Sequence, residues 1–167
     1  MQDVLTAKPP VNGIDHEALE EAVEAIGRDP RQALVQFRVK TEWAGQTRSE
    51  STVESYTIGG EEVPRRFRIT ADEPTELLGT NTAPNPQELL MSAVNACMMV
   101  GYVANAAIRG ITLESCRIET HGELDLRGFL GLDDLVPPGY RRLHYTVSME
   151  GDGTREQFEE IHAAVQA

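Results

Sequence analysis

The spacing of apolar residues switches between the helical and the extended period along the chain, and each switch marks an element boundary. Leu19, Val23 and Ile26 recur at helical intervals behind Asp15, a capping residue, with Glu17 and Glu20 near the favourable N-terminal end and Gly27 at the exit. This predicts a short, superficial amphipathic helix whose wet face carries Glu17, Glu20, Glu21 and Glu24. Before it, Met1 to Gly13 contains Pro9, Pro10 and little periodicity, and reads as a loose arm. From Ala33 the period becomes two. Val35, Phe37, Val39 and Thr41 share one face of a strand, and Gln36, Arg38 and Lys40 share the other. Turn residues Ala44 to Thr47 lead to a second strand, Thr52 to Ile58, and Gly59-Gly60 turns into a third, Val63 to Thr70. A loop rich in Thr, Asn, Gly and Pro follows from Asp72 to Pro84.

Asn85-Pro86-Gln87-Glu88 combines an Asn cap, a Pro at the first helical position and a Glu placed to reach back to the cap, so it predicts a helix start. The helix should run to Arg109 and stop at Gly110. Ile111 to Leu126 reads as a long strand, Arg127 to Gly139 as a Gly/Pro-rich excursion, and Arg142 to Glu150 alternates again through Leu143, Tyr145, Val147 and Met149. Thr154 and Gln157 form a capping box for a last helix lined by Phe158, Ile161 and Val165. No exit signal follows Val165, which suggests that the natural chain continues beyond Ala167. The order of elements indicates an α+β domain with a largely antiparallel sheet.

With 167 residues, 40% of them apolar, the chain can build one ordinary core. Its net charge of −12 opposes the basic surface that nucleic acid or an anionic membrane requires, so neither is expected as a partner. The two cysteines are too few for a disulfide scaffold, and Met1 to Pro10 lacks the features of a signal peptide; a reducing cytoplasm is the expected location. Leu89 to Ile108 is uncharged throughout and long enough to test as a membrane span. Ser92, Asn95, Asn105 and many alanines leave it only moderately apolar, so burial on nearly all sides inside a soluble assembly is the expectation, and with it a homodimer.

The run from Pro84 to Cys97, PNPQELLMSAVNAC, resembles the central-helix signature of the OsmC/Ohr family, the osmotically induced and organic-hydroperoxide-resistance proteins. Gly110-Ile111-Thr112-Leu113, Gly122-Glu123-Leu124-Asp125 with its Arg127-to-Leu132 extension, and the closing helix continue the resemblance from roughly Ala33 to the end. It implies 33–167 as an OsmC-like domain in which an antiparallel sheet wraps a long central helix within an intertwined dimer, and leaves residues 1–32, the arm and short helix, outside it. It also implies cofactor-free, peroxiredoxin-like reduction of organic hydroperoxides at Cys97 by an external thiol, in defence against oxidative stress. The peroxidase branches of the family carry a resolving cysteine in the C-terminal region, but Phe158 to Ala167 contains none, and Cys116 follows the central helix instead. Those branches place a Glu ten residues before the reactive cysteine to hold an Arg from the first hairpin. That position is Gln87 here, and the Arg has its candidate in Arg48.

Two readings of Cys97 stand. It shares a helical stripe with Leu90, Ala93, Val100 and Ala104, and free cysteine commonly serves as a small core hydrophobe, which fits a non-catalytic dimer that binds an apolar small molecule or simply assembles. As a nucleophile it needs a cation, because a mid-helix position gains little from the helix dipole. An ordinary thiol of pKa ~8.5 is only slightly ionised at neutral pH, whereas a guanidinium at about 4 Å contributes on the order of 4 kcal/mol at an effective dielectric near 20. Arg48 is the expected source. Glu88 cannot replace the missing clamp, since nine residues at 100° each set it opposite Cys97. Gln87, about 15 Å along the helix from Cys97, could meet it only across a dimer, and otherwise is an exposed first-turn residue. Met98, with Met91 and Met99, either lines an apolar substrate pocket or fills gaps in the core. His16, His121, His144 and His162 show no metal-ligand spacing, so no metal is expected.

Overall fold

The computed structural model describes residues 9–167, so the first eight positions of the expected arm lie outside the described residues. Two compact units form, one up to Leu90 and the other Met91–Ala167, with the division falling inside the long helix. In the first unit α1, His16–Arg28, is capped by the Asp15 carboxylate, which accepts from the N–H groups of Glu17 and Ala18. It buries no residue, in keeping with a superficial helix, but it runs through Gly27 and ends at Asp29.

The sheet of this unit is built on β3, Ser49–Ile58. One edge of β3 pairs with both β1, Val35–Phe37, and β2, Lys40–Trp43; the other pairs with β4, Glu61–Ala71, all antiparallel. The single strand expected from Ala33 is therefore broken. Residues 30–33 form a 3-10 turn, and the ladder lapses at Arg38 and Val39. The register explains the lapse: Phe37 faces Tyr56 and Lys40 faces Thr52, so two residues oppose three, and β3 also shifts register against β4 between Val53 and Ser55. The extra residue lies on β3 at the first edge, whereas at the second Arg65 and Arg66 of β4 oppose the single Glu54, so pairing is interrupted beside Glu54 on both edges. The hairpin from β3 to β4 turns through Gly59 and Gly60 at φ 58° and 88°, the left-handed pair a two-residue turn requires.

Beyond β4 the chain is organised by Asp72, a fully buried carboxylate. It accepts from the hydroxyls of Thr47, Thr80 and Thr82 at 2.6–3.0 Å and from the N–H groups of Glu73, Thr80 and Thr82. These donors, led by the Thr80 hydroxyl, hold its pKa far below the ordinary carboxylate range.

α2, Pro86–Ile108, begins as its sequence predicts: Asn85 Oδ1 accepts from Glu88 N–H and Glu88 Oε2 accepts from Asn85 N–H, each at 2.8 Å. It ends one residue early in a paired closure in which Gly110, at φ 70°, donates to the Ala107 carbonyl and Ile111 to that of Ala106.

In the second unit β5, Leu113–Gly122, pairs antiparallel with β6, Leu143–Gly151. β5 stops short of the expected Leu126, because Asp125 caps α3, Leu126–Phe129, by accepting from the Arg127 N–H. α4, Arg155–Gln166, opens with the Thr154–Gln157 capping box and presents Ile161 to the core. That core is Tyr102, Ala106, Ile111 and Ile161, with Met98, Leu113, Cys116, Ile118, Val147, Met149, Phe158 and Val165 packed around it.

The expectation of a helix buried on nearly all sides is not met within one chain. α2 buries only Tyr102, Ala106 and Ala107, while Val100 is 69% exposed and Leu90 and Ile108 are also open. It is long and apolar enough to cross a membrane by length and composition, but a two-stranded sheet and one short helix can cover only one side of it. The first unit is open as well: β1 and β2 are exposed along their length, and Trp43 is 78% exposed.

Candidate active site

Helical geometry sets Cys97 apart from the core. Met98, Tyr102 and Ala106 turn toward Ile161, whereas Ala93, Cys97 and Val100 form the stripe the chain leaves exposed. The apolar stripe is real, and it is not the core stripe of the single chain. Met98 packs against the core. Met91 and Met99 are half-buried.

Gln87 and Arg48 belong to the first unit and Cys97 to the second. Gln87 is half-buried in the first turn of α2. Arg48 is exposed at the end of the turn between β2 and β3, a turn held by bonds from Ala44 N–H to the Arg48 carbonyl and from Arg48 N–H to the Gly45 carbonyl. Its guanidinium has no hydrogen bond or ion pair among the described residues. Glu88 is committed to the helix cap, a second reason why it cannot serve as a clamp.

Cys116 stands in contrast to Cys97. Half-buried on β5 and packed on the core, it has its thiol pKa pushed up by burial, and both cysteines are free. Among the described residues no group of three or more His, Cys, Asp or Glu could hold a metal ion. His121 and His144, paired across β5 and β6, stack with ring centroids 5.4 Å apart.

One cluster escaped the sequence. The Tyr102 hydroxyl lies 2.6 Å from His162 Nδ1, Tyr145 meets the same imidazole edge-on at 6.3 Å between centroids, and Gln166 Nε2 donates to the Tyr145 hydroxyl at 2.8 Å. This network borders an open groove of about 810 Å³ between β6 and α4, floored by Leu143, Val147, Met149 and Phe158. Tyr102 and His162 are sixty positions apart, and no local motif joins them.

The OsmC-like protein family matches residues 79–167, more than half of the chain, including all of α2 and everything after it. The chain belongs to the OsmC-like family. Solved structures agree on the fold. An OsmC-like protein from Mycoplasma pneumoniae superposes with a TM-score of 0.60 at 15% identity, covering 78% of this chain and 80% of its own. An OsmC-like protein of unknown function from Vibrio cholerae gives 0.56 at 15% identity over 78% and 87%. An organic hydroperoxide resistance protein OsmC from Legionella pneumophila gives 0.50 at 19% identity over 80% and 83%. The α+β arrangement of antiparallel sheet and long helix expected from the sequence is thus the OsmC-like fold. No curated protein matches the chain.

Proposed function

We propose that this OsmC-like protein reduces organic hydroperoxides at Cys97, at the expense of an external thiol, in defence against oxidative stress. The observation that carries the reading is the exposure of Cys97 on the α2 stripe facing away from the core, within the family's central-helix signature. A cysteine kept as filler would gain from burial against Tyr102 and Ile161, and Cys116 occupies that role. In the reaction the Cys97 thiolate attacks the O–O bond. Sulfur takes the terminal oxygen as sulfenic acid, and the other oxygen leaves as alkoxide and picks up a proton to become the alcohol. A dithiol then returns the sulfenic acid to thiol, releasing water and a disulfide of its own. Arg48 supplies the guanidinium that holds the thiolate and the departing oxygen. The protein works as a homodimer, with the Cys97 site at the subunit interface and Gln87 at its edge.

Turnover of cumene hydroperoxide with dithiothreitol tests this. Wild type should consume peroxide, Cys97→Ser should fall to background, and Arg48→Ala should lose about tenfold or more in rate at neutral pH, a loss that shrinks as pH rises and the thiol ionises unaided. Equal rates for wild type and Cys97→Ser would leave a non-catalytic member that binds an apolar molecule or simply assembles.

A further inference from the structure

We propose that the groove between β6 and α4 is a second binding site, for a small carboxylic acid with an apolar tail, whose carboxylate is received by His162 Nε2–H and the Tyr145 hydroxyl.

The polar end of the groove is built from the inside outward. Tyr102 is fully buried within the core of Ala106, Ile111 and Ile161, and among the described residues its hydroxyl has His162 Nδ1 as hydrogen-bond partner at 2.6 Å. A buried hydroxyl must spend its proton on an acceptor. Burial also raises the phenol's pKa, which keeps that proton in place. Tyr102 therefore donates and Nδ1 accepts. With Nδ1 used as acceptor, Nε2–H is the donor that His162 has left to offer to the groove it lines. Tyr145 completes the pair of donors. Its oxygen already accepts from Gln166 Nε2, so its own O–H is left to donate, and its ring stands edge-on to the imidazole. Donors on two rings in contact, with centroids 6.3 Å apart, suit the two oxygens of a carboxylate.

The remainder of the groove selects the tail. Leu143, Val147, Met149 and Phe158 are half-buried and turn their side chains to the space beside α4. Glu159 also lines it, but Arg155 Nε binds its carboxylate at 2.8 Å, so an incoming anion does not meet an unmatched charge. This site uses the face of α2 opposite to Cys97 and does not depend on the cysteine's chemistry.

Octanoate is the probe, titrated into the protein and followed by amide NMR, with 1-octanol as the tail without its carboxylate. Octanoate should shift resonances of β6 and α4 and saturate, and octanol should bind at least about fivefold more weakly, since hydrogen bonds to a charged group exceed those to a neutral one. Tyr145→Phe and His162→Phe should each weaken octanoate by about fivefold or more. Tyr102→Phe should change the His162 ring nitrogen shifts as the tautomer is released and weaken binding in step, whereas Cys97→Ser should bind as wild type. Absence of saturable shifts in wild type, shifts that map elsewhere, or Tyr145→Phe and His162→Phe variants that bind like wild type while keeping its melting temperature would overturn the site and leave Tyr102–His162 as a structural bond. A groove covered by a second copy would show as protected β6 and α4 amides without octanoate binding, and would overturn it equally.

Discussion

Cys116 is packed onto the core from which Cys97 is turned away. Both residues belong to the second unit, so this opposition is set within one packed body, by α2 presenting Met98 and Tyr102 inward and by β5 presenting Cys116 and Ile118 to the same core. A disulfide requires Cα atoms within about 7 Å and facing Cβ vectors. Two thiols on opposite sides of a packed helix do not meet the second condition.

The expected outcome of one equivalent of hydroperoxide is accordingly a Cys97 sulfenic acid that dimedone traps, with no bond between Cys97 and Cys116. Iodoacetamide at neutral pH should label Cys97 well ahead of Cys116, whose thiol burial holds in the protonated form. Peptide mapping under non-reducing conditions reads both results. A high yield of the internal disulfide would make Cys116 the resolving residue.

Association is expected through the α2 stripe, where Val100 is 69% exposed beside Cys97 and Ala93. Contiguous apolar surface of this kind marks an interaction site. Light scattering should give about twice the 18.4 kDa of one chain, and Val100→Asp should shift the mass toward a single chain by placing a charge where a partner packs. A wild-type protein that runs as one chain at tens of micromolar would remove the dimer, and with it any role for Gln87 in the site.

Asp72 gives the protein an acid-sensitive joint. Its folded pKa lies below the unfolded value, so its stabilisation is complete above the unfolded carboxylate range near pH 4 and is lost as pH falls through the folded value. Asp72→Asn replaces one acceptor oxygen with a donor that faces hydroxyls and N–H groups, and should lower the melting temperature by more than about 5 °C at neutral pH. Thermal melts of the two proteins should converge as pH is lowered from about 5, because protonation costs only the wild type its charge. A constant gap across that range would show that the loop owes nothing to the ionised form.

What was legible in the sequence was local. Asn85 and Glu88, Thr154 and Gln157, and Gly110 act on backbone groups a few residues away, so their types and spacing suffice to place both ends of α2 and the start of α4. The break at Arg38 and Val39 was not legible, because its cause is an extra residue on β3, well away along the chain. Asp72 read as one more loop residue for the same reason: Thr47, Thr80 and Thr82 reach it through the fold. For Cys97 the periodicity revealed an apolar stripe, but which of a helix's two apolar sides a small sheet covers depends on Tyr102 and Ile161, and spacing does not say so.

Where the chain leaves the buried carboxylate, Gly79 lies so close to the Glu73 carbonyl that a β-carbon there would sit 1.7 Å from its oxygen. Backbone cannot yield as a flexible side chain can, so position 79 is closed to every other amino acid while the loop keeps this path. Its neighbour Leu78 is 81% exposed. Two adjacent sites are thus constrained in different ways: Leu78, at φ 66°, is open in space but admits only residues that tolerate a left-handed backbone, and Gly79 is fixed by the absence of a single carbon.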